Sequence, residues 1–172
     1  MLQKLHHVAY RCDDAAATVV FYRDVIGLKF AHAIAQDRVP STQAFEPHLH
    51  VFFELADGSY IAFFELAGSP PPERDPNTPA WVQHLALEVA EAAALAEGKR
   101  RLEANGIEVI GPIDHGFCRS IYFFDPNGHR LEMTIRTEPP GALDRFAAAA
   151  PATLATWEAR KRAGALTSPA PA

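Results

Sequence analysis

Two histidines and one glutamate of this chain stand where they could bind a divalent metal ion. His7 and His84 each lie in a strand-like segment, and Glu132 lies between Leu131 and Met133 in another. Two neutral imidazoles and one carboxylate hold Fe(II) on one face and leave the opposite coordination positions open. Manganese suits the same ligand types, whereas zinc more often occupies closed or three-ligand sites. The alternative is a solvated Glu132 beside histidines with structural roles.

The chain shows one order of elements twice. An alternating strand pattern at residues 5–14 precedes a helical pattern at residues 15–27, and residues 82–91 precede residues 92–106 in the same way. Further strand-like runs follow each helix. These runs cover residues 49–55 and 59–66 in the first half, and residues 119–125 and 129–135 in the second. The pattern predicts an α+β fold of two tandem βαβββ modules.

The equivalent places of His7 and His84 favour a shared role. A single histidine in a strand is usually a structural residue with satisfied hydrogen bonds. Here each histidine stands inside the first strand of its module. Two histidines at equivalent positions are hard to explain as independent accidents, so the repeat favours metal binding.

The last strands of the two modules align through the glycine of the turn before each of them. Glu132 follows Gly128 by four residues, as Ala62 follows Gly58. Side chains alternate between the two faces of a strand, so Glu65 should point away from the face of Ala62. The first module therefore offers one candidate ligand and the second module offers two.

Composition shifts divide the chain into four parts. We expect a first module at residues 1–67, a proline-rich linker at 68–80, a second module at 81–136 and a helical tail at 137–172.

Within the tail, residues 141–163 are expected to be helical with an interruption at Pro151, and residues 167–172 to be disordered. Trp157 is expected to anchor the tail against the domain or against a second subunit.

Charge and composition exclude several classes of protein. The 172 residues carry a formal net charge of −5, and the only basic runs, residues 99–101 and 160–162, fall in helical patterns. Nucleic acid is therefore not an expected partner. No apolar run approaches the ~20 residues of a membrane span, and the first twelve residues are too polar for a signal peptide. Cys12 and Cys118 are too few for a disulfide framework, so buried free thiols in a reducing cytoplasm are expected.

Two stretches resemble the vicinal oxygen chelate superfamily, which includes glyoxalase I, extradiol dioxygenases and the bleomycin- and fosfomycin-resistance proteins. They are "FYRDVIGLKF" at residues 21–30 and "FFDPNGHRLEM" at residues 124–133, and the resemblance extends over residues 5–135. It implies paired modules that form a cupped mixed sheet around a metal. The ligands that it implies are His7, His84 and Glu132.

Within the superfamily, the chain is most similar to type I extradiol dioxygenases. Glyoxalase I-like members have a fourth ligand, a carboxylate, where this chain has Ala62. The extradiol pattern is a histidine, a spacer, an aliphatic-Tyr pair, an acid-Pro turn with glycine and the ligand glutamate. This chain matches it with His115, Tyr122, the turn at residues 125–128 and Glu132.

The resemblance also implies roles for these residues. His115 would lie over the bound diol and oxygen, and Tyr122 would donate a hydrogen bond to a ring oxygen. Larger extradiol enzymes have an acid–base histidine where this chain has Ser59 or Tyr60, so His48 and His50 on the preceding strand become the candidates for that role. Their shared parity puts both on one sheet face.

The function expected from the sequence is a non-haem Fe(II) dioxygenase that cleaves a catechol-type aromatic diol with O2. Mn(II) or another divalent metal is the alternative cofactor. The resemblance also implies a homodimer, which the C-terminal helix could support. Two other functions remain open: a divalent-metal isomerase, epimerase or lyase on the same scaffold, and a metal-free binding protein of the resistance type.

Overall fold

The computed structural model describes residues 1–70 and 75–166 of the chain. They form two four-stranded mixed sheets, each packed against helical segments, and a long C-terminal helix. This confirms the predicted α+β class and the repeated βαβββ order.

The first module forms a sheet with the strand order β1-β4-β3-β2. Strand β1 runs parallel to β4, and the other neighbours are antiparallel. Helix α1 continues directly into a π-helical segment, π1. The elements are β1 (His7–Cys12), α1 (Ala15–Val19), π1 (Val20–Ile26), β2 (Lys29–Arg38), β3 (Phe45–Glu54) and β4 (Tyr60–Leu66).

The second module repeats this arrangement with the order β5-β8-β7-β6, and β5 is parallel to β8. Its elements are β5 (Leu85–Glu88), α2 (Ala92–Ala104), β6 (Ile110–Asp114), β7 (Cys118–Phe124) and β8 (Arg130–Arg136). Each module also contains a strand that the sequence pattern did not predict, namely β2 in the first module and β6 in the second.

The ends of the first helical segment have the caps that are usual for helices. Asp14 accepts a hydrogen bond from the Ala17 amide at 2.9 Å, and Gly27 ends π1 with a φ of +91°. The carboxylate of Glu65 accepts a hydrogen bond from the Ala15 amide at 2.6 Å. Glu65 therefore faces the helix, on the side of β4 opposite Ala62, as its parity predicted.

Helical segments cover one face of each sheet. In the first module the Tyr22 ring packs between Phe53 and Phe63, at centroid distances of 5.1 and 4.8 Å, and all three are buried. In the second, α2 approaches β8 so closely that a Cβ at Gly98 would lie 2.8 Å from the Met133 sulfur. Because side chains alternate, Glu132 points to the opposite face. We call that side of each sheet the helix-free face.

The turn before β8 joins the two modules. Asp125 accepts hydrogen bonds from the amides of Asn127 and His129 at 2.9 and 2.8 Å, and from the Tyr22 hydroxyl at 3.0 Å. Asn127 accepts one from the Asp13 amide at 3.1 Å. The Asp-Pro-Asn-Gly turn therefore docks the second module on the first helical segment, besides reversing the chain.

The tail differs from the prediction in two respects. Helix α3 (Ala142–Arg162) runs without interruption through Pro151. Proline removes one amide donor and usually kinks or breaks a helix, but here the α-helix continues on both sides of it. Trp157 is 50% exposed and stacks with Arg160, so it does not anchor the tail to the domain. An anchor against a second subunit stays a prediction, and residues 167–172 lie outside the described residues.

Both cysteines are free. Cys12 is buried as predicted, whereas Cys118 is only partly buried, because it begins β7 on the helix-free face. Within the described part of the chain, no helix has the length and apolar character needed to span a membrane.

Candidate metal and substrate site

His84 and Glu132 meet at the start of the second sheet. Nε2 of His84 lies 3.0 Å from Oε2 of Glu132, and the two side chains are 33% and 7% exposed. Strand β5 begins at Leu85, so His84 immediately precedes the strand that was predicted to contain it. A buried carboxylate beside a partly open imidazole supplies two of the donors that a divalent metal takes.

A buried hydroxyl fixes the other oxygen of Glu132. Ser120, which is fully buried on β7, donates a hydrogen bond to Oε1 of Glu132 and lies 2.8 Å from the Thr134 hydroxyl. This bond holds the carboxylate while Oε2 faces His84. Sequence reasoning did not single out Ser120, although its parity with Tyr122 on the same strand was a usable signal.

Tyr122 and His115 form a second pair beside Glu132. The Tyr122 hydroxyl lies 2.8 Å from Nε2 of His115, and the tautomer of His115 decides which atom donates. Burial, and then the charge of Glu132, raise the pKa of Tyr122 above its usual range. The tyrosine ring also makes an edge contact with His84, at a centroid distance of 6.0 Å. Tyr122 therefore links His115 to the His84–Glu132 pair.

Arg130 is a second residue that sequence reasoning missed. It shares a face of β8 with Glu132, two residues away, and its guanidinium carbon lies 4.5 Å from the centroid of the Tyr122 ring. Its Nε is buried and has no hydrogen-bond partner among the residues that the structure describes.

His7 lies on the helix-free face of the first sheet. It is the first residue of β1, and its ring is 6.3 Å from His50 and 6.0 Å from Phe52 between centroids. Its Nδ1 lies 2.8 Å from that of His6. All these ring contacts are within the first module.

His48 and His50 share the face of His7, in agreement with their parity. The His50 ring stacks on Phe64 at 3.6 Å between centroids, and its buried Nε2 has no hydrogen-bond partner in the described part of the chain. Burial, and then the neighbouring imidazole of His7, lower the pKa of His50 to about 4. His48 lies farther along β3, where its Nδ1 is 2.7 Å from the carbonyl oxygen of Glu46.

His32 adds an imidazole to the same face of the first sheet. It stacks on Phe52 at a centroid distance of 4.1 Å. The β2–β3 register shift between Phe30 and His32 decides this placement, so strand parity alone could not have found it.

The structure thus brings two of the three proposed ligands together and leaves the third in the other module. Within residues 1–70 and 75–166, no group of three or more His, Cys, Asp or Glu side chains is close enough to hold a metal ion. Ala62 is fully buried between Ala9 and Phe52 in the sheet, so that position provides no carboxylate.

A cleft of about 930 Å³ opens beside His84, between the two modules. Its lining includes Tyr10, Gln83, His84, His129 and Arg130.

Comparisons with known proteins agree on the family. Residues 4–133 match the model of the Glyoxalase/Bleomycin resistance protein/Dioxygenase superfamily. The chain is 26% identical over 132 residues to biphenyl-2,3-diol 1,2-dioxygenase 3 of Rhodococcus globerulus, a match that covers 77% of this chain and 63% of that protein. It is 24% identical over 127 residues to lactoylglutathione lyase of Haemophilus influenzae, covering 74% of this chain and 88% of the lyase.

A solved structure shows the same fold. The fosfomycin resistance protein FosX from Listeria monocytogenes, in complex with Mn(II) and sulfate, superposes with a TM-score of 0.55 at 24% identity. The match covers 80% of this chain and 95% of FosX. By contrast, the chain spans less than two thirds of the length of the Rhodococcus dioxygenase.

Proposed function

Because the chain belongs to the Glyoxalase/Bleomycin resistance protein/Dioxygenase superfamily, we propose that it is an Fe(II)-dependent extradiol dioxygenase acting on a catechol-type aromatic diol. One observation carries the proposal: the His84–Glu132 pair lies beside the Tyr122–His115 pair on one face of one sheet. The buried Ala62 supports the same proposal, since a glyoxalase-type site has a fourth carboxylate ligand there.

The residues present suit a divalent metal. His84 and Glu132 would hold it together with His7, and these nitrogen and oxygen donors fit Fe(II) or Mn(II). The bound metal would supply the Lewis acidity that lowers the pKa of the diol hydroxyls and the redox chemistry that oxygen requires.

The neighbouring side chains bind and orient the diol and move its protons. The Tyr122 hydroxyl donates a hydrogen bond to a ring oxygen, and His115, at 2.8 Å from that hydroxyl, holds or returns a proton. In the first module His50 is the better placed of the two acid–base candidates, because it lies nearer His7 than His48 does. Its lowered pKa, about 4, keeps the imidazole neutral at pH 7, so any proton that it accepts during the reaction is held weakly.

Two copies of the chain would complete the site. Among residues 1–70 and 75–166, the ring contacts of His7 all lie inside the first module, whereas His84 and Glu132 meet in the second. A homodimer in which His7 of one copy joins the His84–Glu132 pair of the other provides all three ligands. The isologous contact of a two-fold dimer creates two such sites.

The test is oxygen uptake after anaerobic reconstitution with Fe(II). Addition of 2,3-dihydroxybiphenyl or catechol in air should consume O2 and produce a yellow ring-fission product, and the His84→Ala variant should do neither. The absence of that product across a panel of catechols would refute the dioxygenase proposal.

The second candidate is a lyase or isomerase that uses a divalent metal. The match to lactoylglutathione lyase, which covers 88% of that enzyme, favours it. Turnover without oxygen in the presence of Mn(II), Ni(II) or Co(II) would identify this function. An unchanged metal content in the His84→Ala variant would instead favour a metal-free binding protein.

A further inference from the structure

Arg130 provides a positive charge on the face that carries the candidate site. It begins β8 and shares a face with Glu132, so the two Cα atoms are about 7 Å apart, twice the rise per strand residue. Its guanidinium stacks on the Tyr122 ring, and the residue lines the cleft next to His84. The charge therefore lies beside the groups that would hold a diol.

No side chain in the described ranges neutralises this charge. Within residues 1–70 and 75–166, Arg130 forms no ion pair, although other arginines of the chain do: Arg23, Arg100, Arg119 and Arg136. The nearest carboxylate along the strand, Glu132, is engaged by Ser120 and His84. Asp13 and Asp75 line the same cleft, but neither forms an ion pair with Arg130.

A partly buried guanidinium is stabilised by an anion that accepts its hydrogen bonds. Among the described residues the buried Nε of Arg130 has no acceptor, so the end of the guanidinium toward the cleft is the part that a ligand can reach. The planar guanidinium fits a carboxylate through two parallel hydrogen bonds. A dihydroxyphenyl acid carries its diol and its carboxylate on opposite ends of one ring. The distance between these two groups is comparable to the ~7 Å between the Cα atoms of Glu132 and Arg130.

We propose that Arg130 binds the carboxylate of an acidic aromatic diol, so that the substrate is a dihydroxyphenyl acid and not a neutral catechol. This inference rests on the proposed function, because it takes the diol to bind at the His84–Glu132 pair. The stacking of Arg130 on Tyr122 then has a second consequence: it keeps the guanidinium over the ring that borders the diol.

The experiment compares two ligands that differ in charge and by one methyl group. The Fe(II)-loaded protein is titrated calorimetrically without oxygen with 3,4-dihydroxyphenylacetate and with its methyl ester. We expect the acid to bind about 10- to 100-fold more tightly, the range for hydrogen bonds to a charged group. In Arg130→Gln the ratio of the two Kd values should fall to near one, and Arg130→Lys should keep part of it.

Arg119→Gln is the matched control, because Arg119 lies in the same sheet but pairs with Asp114 at 3.5 Å. It should retain the full preference for the acid. Phenylacetate, which has no diol, should bind far more weakly than the dihydroxy acid, because the diol also contributes to binding. An anion site that is independent of the diol site would bind the two acids equally.

Equal binding of acid and ester by the wild-type protein would overturn the proposal. So would an Arg130→Gln variant that loses both ligands equally, since Arg130 would then only support Tyr122. If no catechol is cleaved but the acid preference still depends on Arg130, the dioxygenase reaction is wrong and the acid site stands. If neutral catechols are cleaved and the acid binds no more tightly than its ester, the dioxygenase reaction stands and the acid site is wrong.

Discussion

Nε2 of His84 lies 3.0 Å from Oε2 of Glu132, at the meeting point of the parallel strands β5 and β8. The pair is asymmetric, because the histidine is partly open to solvent and the glutamate is buried. Burying a carboxylate costs free energy unless its oxygens have partners, and here Ser120 and His84 are those partners. The arrangement gives a fixed carboxylate with a partly exposed imidazole beside it, which is the part of the proposed metal site that the second module would provide.

Glu132 should be essential for metal binding, in contrast to Glu65 on the last strand of the first module. Glu132→Ala should reduce bound Fe(II) or Mn(II) to a trace, because it removes the only carboxylate of the proposed set. Glu65→Ala is the control: it should lose about 1 kcal/mol of stability with the hydrogen bond to the Ala15 amide, but keep its metal. Elemental analysis after reconstitution and urea unfolding separate the two effects. Equal metal content in both variants would contradict the assignment.

Ser120 should act through Glu132. Ser120→Ala removes the hydroxyl that holds Oε1, so metal affinity should fall about 10-fold, as for other residues that orient ligands. Ser59 offers a matched control, since its buried hydroxyl donates to Asp57 at 2.6 Å in the first module. Ser59→Ala should show a similar loss of stability with unchanged metal affinity, measured by competition with a chelator. A similar affinity loss in both variants would point to general destabilisation.

Tyr122 should contribute to turnover more than to folding. Tyr122→Phe keeps the ring under Arg130 but deletes the hydroxyl that pairs with His115, so kcat should fall on the order of 100-fold or more. Tyr22→Phe, which deletes a hydroxyl bonded to Asp125 on the helix-covered side of the first sheet, should leave kcat within about 3-fold of wild type. Steady-state oxygen uptake measures both. Normal kcat in Tyr122→Phe would remove the residue from the mechanism.

Two inactive variants should restore each other if His7 comes from a second copy. His7→Ala and His84→Ala are each expected to bind little metal. The two variants are unfolded together and refolded as a mixture, so half of the dimers contain one chain of each. Each mixed dimer has one intact site of two, so about a quarter of the wild-type metal content should return. Modules that pair within one chain predict no recovery, and that result would exclude the swapped arrangement.

Cys12 should resist modification and make stability depend on pH. Burial raises the pKa of its thiol to about 11, whereas the unfolded thiol titrates near its usual ~8.5. The contribution of this thiol to the free energy of unfolding is fully present below pH ~8.5, where the thiol is protonated in both the folded and the unfolded state. It is lost as the pH rises toward 11, because the unfolded state releases its proton first. Urea unfolding of the wild type and of Cys12→Ala, each in a Cys118→Ser background, measures the difference. Rapid alkylation of Cys12 in the folded protein at pH 8 would contradict its burial.

The sequence by itself determined the parts of the molecule that depend on local patterns. The repeat, the helix start at Asp14, the stop at Gly27 and the opposite directions of Glu65 and Ala62 follow from capping, backbone freedom and the two-residue period of strands. Each of these features depends on interactions between residues that are close along the chain, so it can be predicted without a structure.

The tertiary structure alone decided which distant side chains meet. Strand register places Ala86 opposite Glu132, and this brings His84 to the carboxylate while Ser120 approaches from β7. The same packing leaves His7 in the other module and lays Arg130 over Tyr122. Contacts between strands far apart in sequence depend on register and on module docking, which no local pattern specifies.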